Sequence, residues 1–174
     1  MKRLFLAFFA VLLAGAASAA AGEPAAFQEL KRGSLKALLK AHEGHAVAVH
    51  FWGVTCGPCL AELPEWGKLK AEHPGAALVL IHADPLPGRQ EALTEIVRKA
   101  RLAGADNWFF GGESQERLRF EADPRWQGEL PFTLLVSAGG EKKPLVGPAD
   151  MNEVTAFLTR GSSPASAALP GGTK

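Results

Sequence analysis

The chain has 174 residues, 47% hydrophobic and 21% charged, with 19 Gly and 12 Pro. That mixture excludes a fibrous, collagen-like or wholly disordered protein and fits one globular domain. Lys and Arg total 19 against 18 for Asp and Glu, a net charge of +1, so no excess of positive charge points to nucleic acid or to an anionic surface.

Lys2 and Arg3 precede an apolar run from Leu4 to Leu13, and small residues follow as far as Ala17-Ser18-Ala19. This is the pattern of a secretory signal peptide over residues 1–19, with Ala21 as a later cleavage point. The apolar run is shorter than the roughly 20 residues that a membrane-spanning helix needs; an uncleaved anchor is the alternative. Residues 20–33 read as an N-terminal linker, residues 34–160 as the folded domain, and residues 161–174 as a flexible tail with little to bury.

Within the domain, Ser34 is placed to cap a short helix carrying Leu35, Leu38 and Leu39, which Glu43-Gly44 breaks. Ala46 to Trp52, AVAVHFW, is apolar on both alternating faces, the pattern of a central strand covered on two sides. Gly53 to Gly57 turns the chain into a helix with Leu60, Leu63, Trp66 and Leu69, and Pro64 inside it predicts a kink. A second buried strand, Ala77 to Ala83, leads to a helix marked by Leu93, Ile96, Val97 and Ala100, which Gly104 should end. A short strand at Trp108 to Phe110 and a helical turn from Gln115 to Phe120 follow. Phe132 to Ser137 reads as a strand, Ala138 to Glu141 as a hairpin turn and Lys143 to Val146 as the returning strand. Asp150 to Thr159 closes the domain as a helix with Met151, Val154, Phe157 and Leu158 inward. Alternation followed by a hairpin predicts an α/β fold with a mixed central sheet and helices on both faces.

The two cysteines of the chain, Cys56 and Cys59, flank Gly57-Pro58 where the buried strand gives way to a helix. Helix N-terminal amides and the macrodipole favour an anion there, so Cys56, outside the first turn, is the reachable thiolate. Cys59 sits one turn in, shielded, and able to attack a mixed disulfide formed on Cys56. Gly57 allows the tight turn, and Pro58 suits the first helical turn because no amide donor is needed there. A domain this size buries a core without staples, and a disulfide across so short a loop adds little entropy. A structural bridge and a zinc site completed by His42, His45 or His50 remain the alternatives to dithiol redox chemistry.

Phe51 to Pro64, FWGVTCGPCLAELP, resembles the active-site segment of the thioredoxin superfamily, more closely its periplasmic TlpA/ResA-like branch. Gly128 to Val136, GELPFTLLV, resembles the loop and strand where that superfamily places a cis-proline beside its disulfide. The resemblance covers about residues 34–160 and implies a thioredoxin-like fold. It makes Cys56 the attacking and Cys59 the resolving cysteine, and Pro131 the cis-proline. Lacking an N–H, Pro131 would leave the backbone of Leu130 to pair with an extended substrate segment. Glu62 resembles the acidic residue that follows the cysteines in TlpA/ResA-like proteins and would exchange a proton with Cys59; an exposed helix carboxylate is the alternative. Trp52 would flank the site or belong to the core.

Two positions depart from the superfamily pattern. His50 stands where thioredoxins bury an acid, as a proton relay or as a hydrogen-bonded core histidine. Thr55 replaces the tryptophan before the first cysteine, which alters the docking surface. Trp66, Trp108 and Trp126 read as packing residues, the charges from Arg89 to Arg101 as an outer helix face, and His42 and His45 as solvated, with half a copper site as the alternative.

The resemblance implies an exported, periplasmic thiol:disulfide oxidoreductase acting on protein disulfides, a reductant of apocytochrome c or of copper-site cysteines. It would draw electrons from a membrane donor of the DsbD/CcdA type and need no organic cofactor or metal; the balanced charge speaks against nucleic acid, and the lack of a large apolar segment apart from the leader suggests a monomer. A disulfide oxidant or isomerase using the same cysteines is one alternative, and a non-enzymatic Cu(I) carrier using Cys56, Cys59 and a histidine is the other.

Overall fold

In a computed structural model of the chain, which describes residues 26–84, 90–112 and 114–160, the strand expected around His50 lies in the middle of the sheet. The expected signal peptide and C-terminal tail lie outside the described residues. The elements run β1 Phe27–Leu30, α1 Ser34–Ala41, β2 Val47–Trp52, α2 Gly57–Glu72, β3 Ala77–His82, α3 Gln90–Lys99, β4 Asp106–Phe110, α4 Gln115–Ala122, β5 Phe132–Val136, β6 Lys142–Val146 and α5 Met151–Arg160. They form one six-stranded sheet in the order β1-β4-β3-β2-β5-β6. The first four strands in that order pair in parallel, whereas β5 runs antiparallel to both β2 and β6.

Every residue of β2 is buried, and the two faces of the sheet build separate cores. Ala48 and Trp52 pack with Leu63, Trp66 and Leu69 of α2, Val97 of α3 and Val154 and Leu158 of α5. Val47, Val49 and Phe51 face the other way, toward Leu35 and Leu38 of α1 and Leu118 and Ala122 of α4. Strand alternation therefore puts His50, between Ala48 and Trp52, on the α2 side. Among the described residues no helix is long and apolar enough to cross a membrane.

Several expectations shift. The sheet begins at Phe27, inside the stretch read as linker: β1 pairs in parallel with β4 at the sheet edge. Only Leu30 of its four residues is buried, so the strand has almost no apolar pattern to display. Ser34 does not cap α1. Gly33, with φ 80°, precedes the helix, and the Ser34 hydroxyl accepts from the Lys31 amide at 3.0 Å. Pro64 lies exposed within α2, which continues past it to Glu72. Asp150 caps α5, its Oδ1 accepting from the Asn152 amide at 2.9 Å.

Helix α3 ends before Gly104. Arg101 takes the left-handed conformation, φ 61°, its amide donates to Arg98 O at 3.0 Å, and the Leu102 amide donates to Val97 O at 2.7 Å. That is a Schellman closure with arginine at the position glycine usually fills. It leaves the Ala100 carbonyl against α2 at Gly67, where a Cβ would stand 1.8 Å from the oxygen. Gly67→Ala is therefore expected to destabilise the fold by about 1–3 kcal/mol, the usual penalty of overpacking against backbone. Urea unfolding measures it, and an unchanged midpoint would show that α2 and the α3 turn separate freely.

Candidate active site

The turn between β2 and α2 carries both cysteines. The Cys56 amide donates to Gly53 O at 3.3 Å, closing the turn. Cys56 then occupies the N-cap position of α2, and its sulfur accepts from the Cys59 amide at 3.2 Å. The two sulfurs are joined as a disulfide. Cys56 is half-buried while Cys59 is 0% exposed and belongs to the core under α2. An incoming thiolate therefore reaches Cys56, and the thiolate released from Cys56 would sit against helix N-terminal amides that stabilise it.

The Leu130–Pro131 peptide bond is cis. Phe132 pairs with Phe51 across the β2–β5 ladder, so Pro131, one residue earlier, lies at the end of the sheet where β2 leads into the cysteines. Pro131 is buried, and half-buried Leu130 packs against both cores. Pro131 O accepts from the Gly147 amide at 2.9 Å.

Beneath α2 lies a buried acid–base pair. Glu62, three residues after Cys59 on the same buried helix face, is only 8% exposed. Its Oε2 accepts from the Ala149 amide at 3.0 Å, and its Oε1 lies 3.2 Å from His50 Nε2. His50 Nδ1 is 2.9 Å from Thr133 Oγ1, its direct partner across the strands. Its ring lies against Trp66 with centroids 4.7 Å apart. Despite their proximity, His50 Nε2 and Glu62 Oε1 are not aligned as a hydrogen bond, and the Trp66 side chain also faces the carboxyl. Burial pushes the His50 imidazole down to about 3 and the Glu62 carboxyl above its ordinary value, with the Ala149 amide pulling the carboxyl back. Both shifts are led by burial and disfavour charge on the two groups.

The exposed-carboxylate alternative for Glu62 is thus overturned, because α2 turns that residue inward. His50 is a hydrogen-bonded core histidine that also faces an acid. Trp52 is 0% exposed and belongs to the same core cluster as Cys59. Thr55 is exposed. Trp66 and Trp126 are buried, and Trp126 stacks on Phe132 at 4.4 Å. His42 and His45 precede the N-terminal end of β2 whereas the cysteines follow its C-terminal end, about 20 Å away at 3.3 Å per strand residue. The strand separates these histidines from the cysteines, and no three His, Cys, Asp or Glu side chains cluster as metal donors among the described residues.

The sequence marks Thr133 only as the threonine of the Pro131-Phe132-Thr133 strand motif, with no role of its own, and does not single out Asp84. Thr133 shares the parity of Leu135 and so faces α2, but only the register shows that it meets His50. Asp84, just past β3, was the one acid ending an otherwise apolar strand, and it accepts from the Thr55 amide and hydroxyl.

No family profile matches the chain, and no curated protein matches it in sequence. Solved structures of the same fold do. A thioredoxin-related protein from Neisseria meningitidis serogroup B is 22% identical with a TM-score of 0.56, over 72% of this chain and 91% of that one. A secreted Mycobacterium tuberculosis disulfide oxidoreductase homologous to E. coli DsbE is 19% identical with a TM-score of 0.54, over 70% and 85%. StoA from Bacillus subtilis is 19% identical with a TM-score of 0.51, over 66% and 83%. The chain has a thioredoxin-like fold.

The buried histidine makes stability depend on pH. His50 stays neutral in the fold down to about 3 but takes a proton near 6.5 when unfolded. Stability is therefore lost as pH falls from 6.5 toward about 3, by up to about 1.4 kcal/mol per pH unit. Glu62, shifted upward, acts in the opposite sense above 4.5, where its charged form is penalised in the fold. Comparing wild type with His50→Asn by urea unfolding at pH 6.5 and pH 4 cancels the Glu62 contribution. The variant is expected to gain on wild type as pH falls, and a constant difference would show that His50 takes up its proton inside the fold.

Proposed function

We propose that this protein is an exported thiol:disulfide oxidoreductase that reduces disulfides in protein clients. The observation that carries the reading is the asymmetry of the cysteine pair: a reachable Cys56 sulfur at a helix N-cap, accepting from the Cys59 amide, and a Cys59 sulfur buried one turn behind it. In the reduced protein, the Cys56 thiolate attacks a client disulfide, forming a mixed disulfide and releasing one client thiolate. Cys59, deprotonated, attacks the Cys56 sulfur; the intramolecular disulfide forms and the second client thiolate leaves. Two electrons pass to the client and no further cofactor takes part.

Glu62 would take up the Cys59 proton, being three residues along the same buried helix face. Leu130 would offer its backbone to an extended client segment beside Pro131, whose nitrogen carries no hydrogen. Export rests on the leader pattern of residues 1–19 and agrees with the secreted Mycobacterium tuberculosis protein of the same fold. The sequence resemblance favours apocytochrome c or copper-site cysteines as clients and a membrane donor of the DsbD/CcdA type, and the lack of a large apolar segment beyond the leader in the sequence favours a monomer.

Two measurements test this reading. The reduction potential of the cysteine pair, equilibrated against glutathione or dithiothreitol buffers, is expected to be more negative than roughly −200 mV; a value near about −120 mV would make the protein an oxidant instead. Cys59→Ser is expected to accumulate mixed disulfides with exported proteins, and Cys56→Ser to lose thiol exchange altogether. Capture by Cys56→Ser in place of Cys59→Ser would reverse the assigned roles.

A further inference from the structure

Among the described residues, one side chain from outside the turn that carries Cys56 hydrogen-bonds to it. Asp84 lies just beyond the end of β3 and is 8% exposed. Its Oδ2 accepts from the Thr55 amide at 2.8 Å and from the Thr55 hydroxyl at 3.0 Å. Thr55 is the residue immediately before Cys56. The approach is close enough to dictate a second residue, because a Cβ on Gly53 would stand 2.2 Å from Asp84 Oδ1. Only glycine at 53 lets the carboxylate lie across the turn.

The carboxylate is itself held from below. The Ala83 amide donates to Trp52 O at 2.8 Å, continuing the β2–β3 pairing to the residue before Asp84. His82 is buried, edge-on to Trp52 with centroids 5.1 Å apart, and its Nε2 lies 4.0 Å from Asp84 Oδ2. That nitrogen makes no hydrogen bond, so the two Thr55 donors have no competitor from His82 for the carboxylate.

We propose that Asp84 is a positioning residue for the redox reaction, holding the residue 53–56 turn so that the Cys56 sulfur is presented to Cys59. The inference rests on the oxidoreductase reading above. Its physical content is an effective concentration. Cys59 is fixed within α2, so the ease of closing the disulfide depends on how freely the Cys56 turn moves when the dithiol is reduced. The internal bond from Cys56 N to Gly53 O closes the turn on itself, and the two Thr55 bonds anchor it to β3. Anchoring removes freedom from the reduced state and favours the disulfide. The negative charge of Asp84 also opposes a thiolate at Cys56, which shifts the balance in the same direction.

The test compares the cysteine equilibrium against a reference dithiol in wild type, Asp84→Ala, Asp84→Asn and Thr55→Val, with unfolding free energies of the oxidised and reduced forms of each. Asp84→Ala is expected to lower the disulfide-forming equilibrium constant about tenfold, which is about 30 mV toward a less negative potential. Thr55→Val removes one of the two bonds at an exposed residue, so it should shift the equilibrium the same way by less even if Asp84→Ala folds poorly. Asp84→Asn keeps an acceptor for both Thr55 donors and is expected to recover at least half of the shift. An Asn variant displaced as far as Ala would overturn positioning in favour of a bare charge effect. Equal destabilisation of both redox forms with an unmoved equilibrium would leave Asp84 a merely structural residue. Absence of any reversible couple in the wild type would instead remove the oxidoreductase reading, and the proposal with it.

Discussion

At the C-terminal end of β2 the chain turns through four residues into α2, and across that junction the Cys59 amide donates to the Cys56 sulfur. The disulfide chemistry depends on this contact. Helix N-termini have amides with no partner inside the helix, and here one of them meets sulfur. The strand sets where the helix begins, because β2 is buried on both faces and is locked between β3 and β5. Small displacements of the junction would move one cysteine relative to the other, and the surrounding structure resists them. Trp52 and Cys59 are packed into the same core, the Ala83 amide extends the pairing past the strand end, and Gly67 lets the α3 turn bear directly on α2.

Alternation along β2 has a chemical consequence as well as a packing one. A hydrophobic residue at 50 would extend the α2-side core, yet the chain puts a fully buried imidazole there, facing a nearly buried carboxyl. Desolvation opposes charge on either group more strongly than the pair's mutual attraction favours it, since each shift is led by burial. A carboxyl whose hold on a proton is strengthened by burial thus lies three residues from Cys59 on α2. The groups near this pair are those already named: Thr133 from β5, Ala149 before α5, and Cys59 and Trp66 from α2. The arrangement costs fold stability at acid pH, because His50 stays neutral where the unfolded chain would protonate it.

Much of this architecture was legible because buried strands and amphipathic helices leave periodic traces. β2, β3, β5 and the three helices on the disulfide side of the sheet could be read from their apolar spacing. What escaped has in each case a physical reason. β1 is an edge strand with one buried residue, so pairing with β4 rather than burial defines it. Arg101 ended α3 in a conformation that glycine usually takes, and the sequence signal pointed three residues too far, to Gly104. In the site, the cysteines and Pro131 are local motifs and were visible. Burial of Glu62 is a property of how α2 is rotated, and the meeting of His50 with Thr133 is a property of register. Neither can be read from one strand alone.

The two carboxylates near the cysteines are held in different ways. Glu62 lies inside, on the α2 face that carries Cys59, where water is excluded and its charge is disfavoured. Asp84 lies just beyond β3 and is as buried as Glu62, and its Oδ2 accepts from both the amide and the hydroxyl of Thr55. An acid that is easily protonated can move a proton to or from a buried sulfur. An acid satisfied by fixed donors can hold backbone in place without taking part in proton transfer. Burial is equal for the two, so what sets them apart is the donors each meets: the Ala149 amide at Glu62 Oε2, and the Thr55 amide and hydroxyl together at Asp84 Oδ2.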